Sequence, residues 1–130
     1  QLKQAYETEV AKEGKSNDVA AAMTFFIASN VVAYHDAGMP SDDATEEFYN
    51  SIRDVMAATP EIARLTNAQK QQTHDWLVYM GGFVLAGYMN AKNTRDRKSL
   101  ADYKSIADQS MRIVLGIGPA DFTPNLRGKK

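Results

Sequence analysis

The chain contains no cysteine, which excludes disulfides, thiolate catalysis and cysteine-ligated zinc together. Cysteine-free chains occur in reducing and oxidising compartments alike, so this absence does not locate the protein. Proline is scarce, four residues in 130, and no run of β-branched residues alternates with polar ones as a half-buried strand does. These two absences point to an all-α chain. Neither sign of charge dominates, since 15 Lys and Arg face 16 Asp and Glu for a net charge of −1. Such a balance gives no general pull toward nucleic acid or an anionic membrane. A membrane span needs about 20 apolar residues, whereas the most apolar stretch, residues 76–89, holds fourteen between Asp75 and Asn90. No strand-borne phosphate loop, Gly-x-Gly-x-x-Gly or Gly-x-Ser-x-Gly turn is present. At 14.4 kDa the chain suits one domain, residues 1–130, able to bury a core without metal or disulfide.

The stretch at 76–89 reads WLVYMGGFVLAGYM. As a helix it has no polar stripe, and a helix apolar on every side is expected to be buried on every side. It is therefore expected to lie at the centre of the domain. Gly81, Gly82 and Gly87 each cost roughly 1 kcal/mol relative to alanine, which packing must recover. Gly82 and Ala86, four apart, form a bare face that lets another backbone approach, and the Gly81-Gly82 pair is also a place to kink.

In chain order, Leu2, Tyr6 and Val10 predict a short amphipathic helix through residue 13, stopped by Gly14. Ser16, Asn17 and Asp18 supply caps for a second helix at about 18–36, rich in alanine and apolar from Val19 to Tyr34 except for Thr24, Ser29 and Asn30. Two such apolar helices in one small domain are expected to pack on each other, with Asn30 bonded to another helix or to water. Ser41 opens an amphipathic helix with Ala44, Phe48, Ile52, Val55 and Met56 on its apolar side, and Pro60 starts a single turn whose Ile62 and Leu65 close the bundle end. Thr66 and Gln69 have capping-box spacing, so the central helix runs over about 67–91. A last helix starts near Asp96 or Ser99 with Leu100, Tyr103, Ile106, Ala107, Ser110, Ile113 and Val114 inward, and Gly116 ends it. Residues 120–130 are expected to be an extended tail anchored by Phe122 and Leu126. The predicted fold is all-α: one bundle of four to five main helices, with the helices at about 18–36 and 67–91 in its centre.

Several segments in this order resemble a known family. Asn17-Asp18-Val19-Ala20 opens the alanine-rich helix, with Tyr34 near its end. A Met39-Pro40 loop, an acidic amphipathic helix, Ala57-Ala58-Thr59-Pro60-Glu61-Ile62-Ala63-Arg64 and a glutamine-rich approach to Gly81 follow. From about Tyr6 to Phe122 the chain resembles a bacterial family of small, usually exported all-helical domains of unknown function. The resemblance implies the helical fold and a signal peptide, and hence a periplasmic or secreted protein. The first residue, Gln1, is not methionine, which suits signal-peptide removal or another boundary. No catalytic residues are established for that family, so the resemblance transfers none.

The histidines, His35 and His74, each precede an aspartate, a pattern that suits a divalent metal or an acid–base pair. Short connections make successive helices antiparallel, so the two histidine-bearing helices should run parallel, placing the histidines about 16 Å apart along the axis. A shared metal is therefore not expected, and no metal or cofactor is assigned. Arg95, Arg97 and Lys98 are interrupted by Asp96 and carry no interleaved aromatic, so they read as a solvated loop rather than a nucleic-acid surface. The candidate binding residues are Asn30, Tyr34, His35, His74 and Tyr79. The leading reading is a non-enzymatic exported domain that binds a protein partner or itself, or has a structural role in the envelope. It is expected to show as an apolar patch on the outer helices. The alternative is an apolar-ligand pocket between helices, lined by Phe25, Phe26, Tyr79, Met80 and Met89. A metal-dependent enzyme using the two histidines is the third.

Overall fold

The computed structural model describes residues 18–126, so the helix expected over residues 1–13 and the tail beyond Leu126 lie outside the described residues. Within them the caps fall where the sequence places them. α1 spans Val19–His35, and the Asp18 carboxylate accepts from the Ala20 N–H at 2.8 Å. α2 spans Asp42–Ala57 behind Ser41, whose hydroxyl accepts from the Ala44 N–H. α3 is the single turn Pro60–Ala63, with proline at its first position. α4, Asn67–Thr94, begins with the reciprocal Thr66–Gln69 capping box. α5 spans Arg97–Leu115, capped by Asp96 and ended by Gly116 in the left-handed region. A 3-10 turn, Pro119–Asp121, replaces part of the expected extended tail.

α1 is the buried element of the bundle. It packs against α4, α5, α2 and the 3-10 turn, and Ala22, Phe26, Ile27, Val31 and Val32 are almost fully enclosed. Two of its buried polar residues turn back on its own backbone. Thr24 donates to the Ala20 carbonyl, and the Asn30 amide donates to the Phe26 carbonyl at 2.8 Å. Asn30 makes no bond to another helix among the described residues, and its Oδ1 has no protein partner there.

α1 and α4 run parallel, as short connections require. At one end the Trp76 ring lies 5.9 Å from Phe26, and at the other Tyr88 and Lys92 donate to Asp36. The close approach of the two backbones occurs at Gly81, where an added Cβ would sit 3.1 Å from the Phe26 Cα. Of the expected Gly82–Ala86 contact face, Gly82 is buried and Ala86 is exposed. At Gly87 a Cβ would overlap the Tyr103 ring of α5, so this glycine seats an aromatic rather than a backbone.

α4 is not enclosed as its composition predicts. Among the described elements it packs extensively only on α1 and α5, and Trp76, Tyr79 and Phe83 stand exposed on its remaining side. On the outer helices two expected core positions point outward, Val55 at 62 % and Ile113 at 82 % exposure. α2 instead buries Tyr49, whose hydroxyl donates to Asp18. The expected anchors of the chain's end do pack: Phe122 stands edge-on to Phe48 at 5.8 Å and Leu126 joins the core of Phe26, Leu77 and Met111.

Candidate functional site

The five candidate binding residues occupy separate environments. Asn30 is inside the core. Tyr34 lies under the Lys104 ammonium at 4.8 Å, edge-on to the His35 ring. His35 Nε2 lies 3.0 Å from the Pro119 carbonyl and so donates to it, tying α1 to the 3-10 turn. His74 is fully buried on α4, its Nδ1 3.1 Å from Asp75, which also accepts from Gln71. Tyr79 is 64 % exposed on the open side of the same helix. His35 sits beside Asp36, level with Tyr88 and Lys92. His74 is at least fourteen residues further back along α4, roughly 20 Å at the helical rise. The two histidines are therefore apart, and no group of three metal-ligating side chains occurs among the described residues.

Two features of α4 that the sequence reading passed over have more to offer. The first is a crevice of about 300 Å³ at the junction of α1 and α4, lined by Val32, Met39, Leu85 and Met89 beneath the Asp36–Lys92 pair. Asp36 ends α1 in the left-handed conformation, φ 51, a region that non-glycine residues other than Asn and Asp rarely occupy. There its Oδ1 accepts from the Tyr88 hydroxyl at 2.5 Å and from Lys92 Nζ at 2.7 Å. The hydrogen bond from Lys92, and after it that from Tyr88, hold the Asp36 carboxyl below its ordinary value. Burial, followed by the bond to Asp36, pushes the Tyr88 phenol up to about 12. Of the residues expected to line an apolar pocket, Met89 lines this crevice while Phe26 belongs to the sealed core.

The second feature is the open face of α4. Trp76 is 45 %, Tyr79 64 % and Phe83 42 % exposed, and spacings of three and four residues keep them on one line. Gln69 and Gln72 before them, and Ala86, Asn90 and Asn93 after them, are exposed on the same line. All eight positions are uncharged. An ordinary solvated helix face carries Lys, Glu or Asp at such positions. The rings are held at their inner edges, Trp76 against Phe26 and Phe83 against Tyr103 at 5.8 Å. A shallow crevice of about 210 Å³ between Trp76, Met80, Ile106 and Ile113 widens the face toward α5. No helix among the described residues is long and apolar enough to cross a membrane.

Residues 1–122 match a family model described as a family of unknown function, DUF6683. The chain belongs to that family. Neither the curated proteins nor the solved structures provide a match. For this DUF6683 member, functional inference therefore rests on geometry. The residues of the α4 face are uncharged in the sequence, but nothing there sets that side of the helix apart as exposed. Apolar residues on the buried sides of the same helix mask it.

Proposed function

We propose that this DUF6683 domain is a protein-interaction domain without chemistry of its own, and that it engages its partner through the Trp76–Tyr79–Phe83 face of α4. The observation behind this reading is the combination of exposure and lack of charge along that line. Exposed apolar area concentrated in one place marks interaction sites, and Trp and Tyr are the residues that dominate such contacts. The non-enzymatic part of the reading is supported by the histidines, each engaged locally at opposite ends of the bundle. Export to the periplasm or medium belongs to the same proposal and rests on the family resemblance; cell fractionation tests it.

A photo-cross-linking phenylalanine analogue placed at Tyr79 in the native host tests the contact face. Val55, 62 % exposed on α2, serves as the control position. A discrete adduct from position 79, absent from position 55 and suppressed by Phe83→Glu, is the expected result. No adduct at position 79, or equal yields from both positions, overturns the reading.

The Asp36 crevice favours a second reading, a small apolar ligand, because its volume reaches the lower end of the range for ligand pockets, about 300 Å³. Leu85→Trp fills that space and should abolish binding of an apolar fluorescent probe. Unchanged binding would remove the crevice from consideration.

A further inference from the structure

The partner of the α4 face can be specified further, on the basis of the interaction reading above. We propose that it is a second copy of this chain, with the two α4 helices antiparallel about a two-fold axis near Gly81. The positions on the open line are 69, 72, 76, 79, 83, 86, 90 and 93, alternating steps of three and four residues. That is the a/d pattern by which two helices pack side by side at about 20°. In an antiparallel pair each a position faces a d position of the other helix. Centring the axis at Gly81 places Tyr79 against the partner's Phe83 and Trp76 against the partner's Ala86. The same register places Gln72 against the partner's Asn90 and Gln69 against the partner's Asn93.

This pairing is complementary in size and matches amide with amide. The bulkiest residue meets the smallest, two aromatics meet at the axis, and the amides at the rims find amides. A parallel pair would instead stack Trp76 on its own copy and leave a gap between the two Ala86 residues. The absence of charge matters as well. A two-fold interface brings a surface against itself, so a charged line would meet its own sign, and this line carries none. The eight positions extend roughly 36 Å along α4. With the flanking Met89 at 53 % and Ile113 at 82 % exposure, a strip of that length approaches the roughly 800 Å² per partner of a stable interface. Trp76 and Phe83 already rest on Phe26 and Tyr103, so little ordering is left for association.

Analytical ultracentrifugation of the full chain should show a reversible dimer of twice 14.4 kDa. Tyr79→Glu should weaken the dimer at least tenfold while leaving the thermal unfolding midpoint of the monomer in place, because Tyr79 is largely exposed. The absence of native cysteine makes the register testable. Gln72→Cys and Asn90→Cys proteins should form a disulfide-linked dimer when mixed and oxidised, and far less when either is oxidised alone. Self-linking of each variant alone at equal yield would overturn the antiparallel register. A strict monomer would overturn the dimer, whether or not it binds phospholipid vesicles through Trp76. A monomer that still gives the position-specific adduct at Tyr79, with a mass other than the chain's own, would sink the dimer and leave the interaction reading standing. Loss of both dimer and adduct would sink both.

Discussion

At the scale of single residues, Asp36 does the most with the least burial. It ends α1, occupies a left-handed conformation, and fastens α1 to α4 by accepting from Tyr88 and Lys92. Both charged partners are about half exposed, so the ion pair itself contributes little; the buried Tyr88 hydroxyl is the larger part. Tyr88→Phe should lower unfolding free energy by about 1 kcal/mol, read from urea midpoints at neutral pH. The two titrations act at opposite ends of the pH scale. Asp36 has a folded pKa below its unfolded value, so its contribution is complete above about pH 4 and is lost as pH falls through the folded value. Tyr88 and Tyr49 are both raised to about 12, by burial first and by their bonds to Asp36 and Asp18 second. The neutral phenol is the favoured form, so their contribution is complete below about pH 10 and is lost between there and about 12. Unfolding free energy should therefore decline from pH 10 upward, and the decline should be shallower in Tyr88→Phe and in Tyr49→Phe. An equal slope in wild type and both variants would show that the phenols are not held in this way. Tyrosinate absorbance of the folded protein should lose a component near pH 12 in Tyr88→Phe and in Tyr49→Phe.

At the scale of elements, α4 separates what the sequence reveals from what it does not. Its start was legible because Thr66 and Gln69 satisfy each other's backbone, a contact contained within four residues. The caps at Asp18, Ser41 and Gly116, and the proline that starts α3, were legible for the same reason. Which side of α4 meets solvent was not, because a helix apolar all round carries no record of which neighbours are present. Among the described residues its extensive neighbours are α1 and α5, and its exposed side is the Trp76–Tyr79–Phe83 line. Of the five candidate binding residues only Tyr79 lies on that line. The others are polar or titratable residues in apolar segments, where Asn30 and His74 are buried and Tyr34 and His35 half-buried. The glycines follow the same division. Gly81→Ala gains about 1 kcal/mol in helix propensity, yet its methyl would press on the Phe26 Cα of a helix packed on several sides. The variant should be destabilised by about 1 kcal/mol net. Gly87→Ala meets only the outer end of the Tyr103 ring, which can swing toward solvent, so its net effect should stay within about 0.5 kcal/mol. Paired denaturation curves decide the matter, and a more damaging Gly87→Ala would show that the Tyr103 seat, not the α1–α4 contact, is the tighter one.

At the scale of the whole molecule, the segment from Pro119 to Leu126 closes the bundle. His35 of α1 donates to the Pro119 carbonyl, Phe122 stands on Phe48 of α2, and Leu126 enters the core with Phe26, Leu77 and Met111. One short stretch thus bridges α1, α2 and the interior. The sequence marked Phe122 and Leu126 as anchors because they are the only large apolar residues in 120–130. It gave no sign that Leu126 would sit at φ 65, since nothing local favours a left-handed leucine. That conformation costs a side-chain-bearing residue about 1–2 kcal/mol and is held by burial of the leucine, which is 3 % exposed. Leu126→Ala should lose about 2–4 kcal/mol, because the packing disappears while the backbone penalty remains. Leu126→Gly loses the same packing but relieves the penalty, and should be the more stable of the two by about 1 kcal/mol. This inverts the usual ranking of alanine over glycine. If Leu126→Gly proves the weaker variant, the left-handed turn is not what seats the leucine, and the closing segment reaches the core by another backbone path.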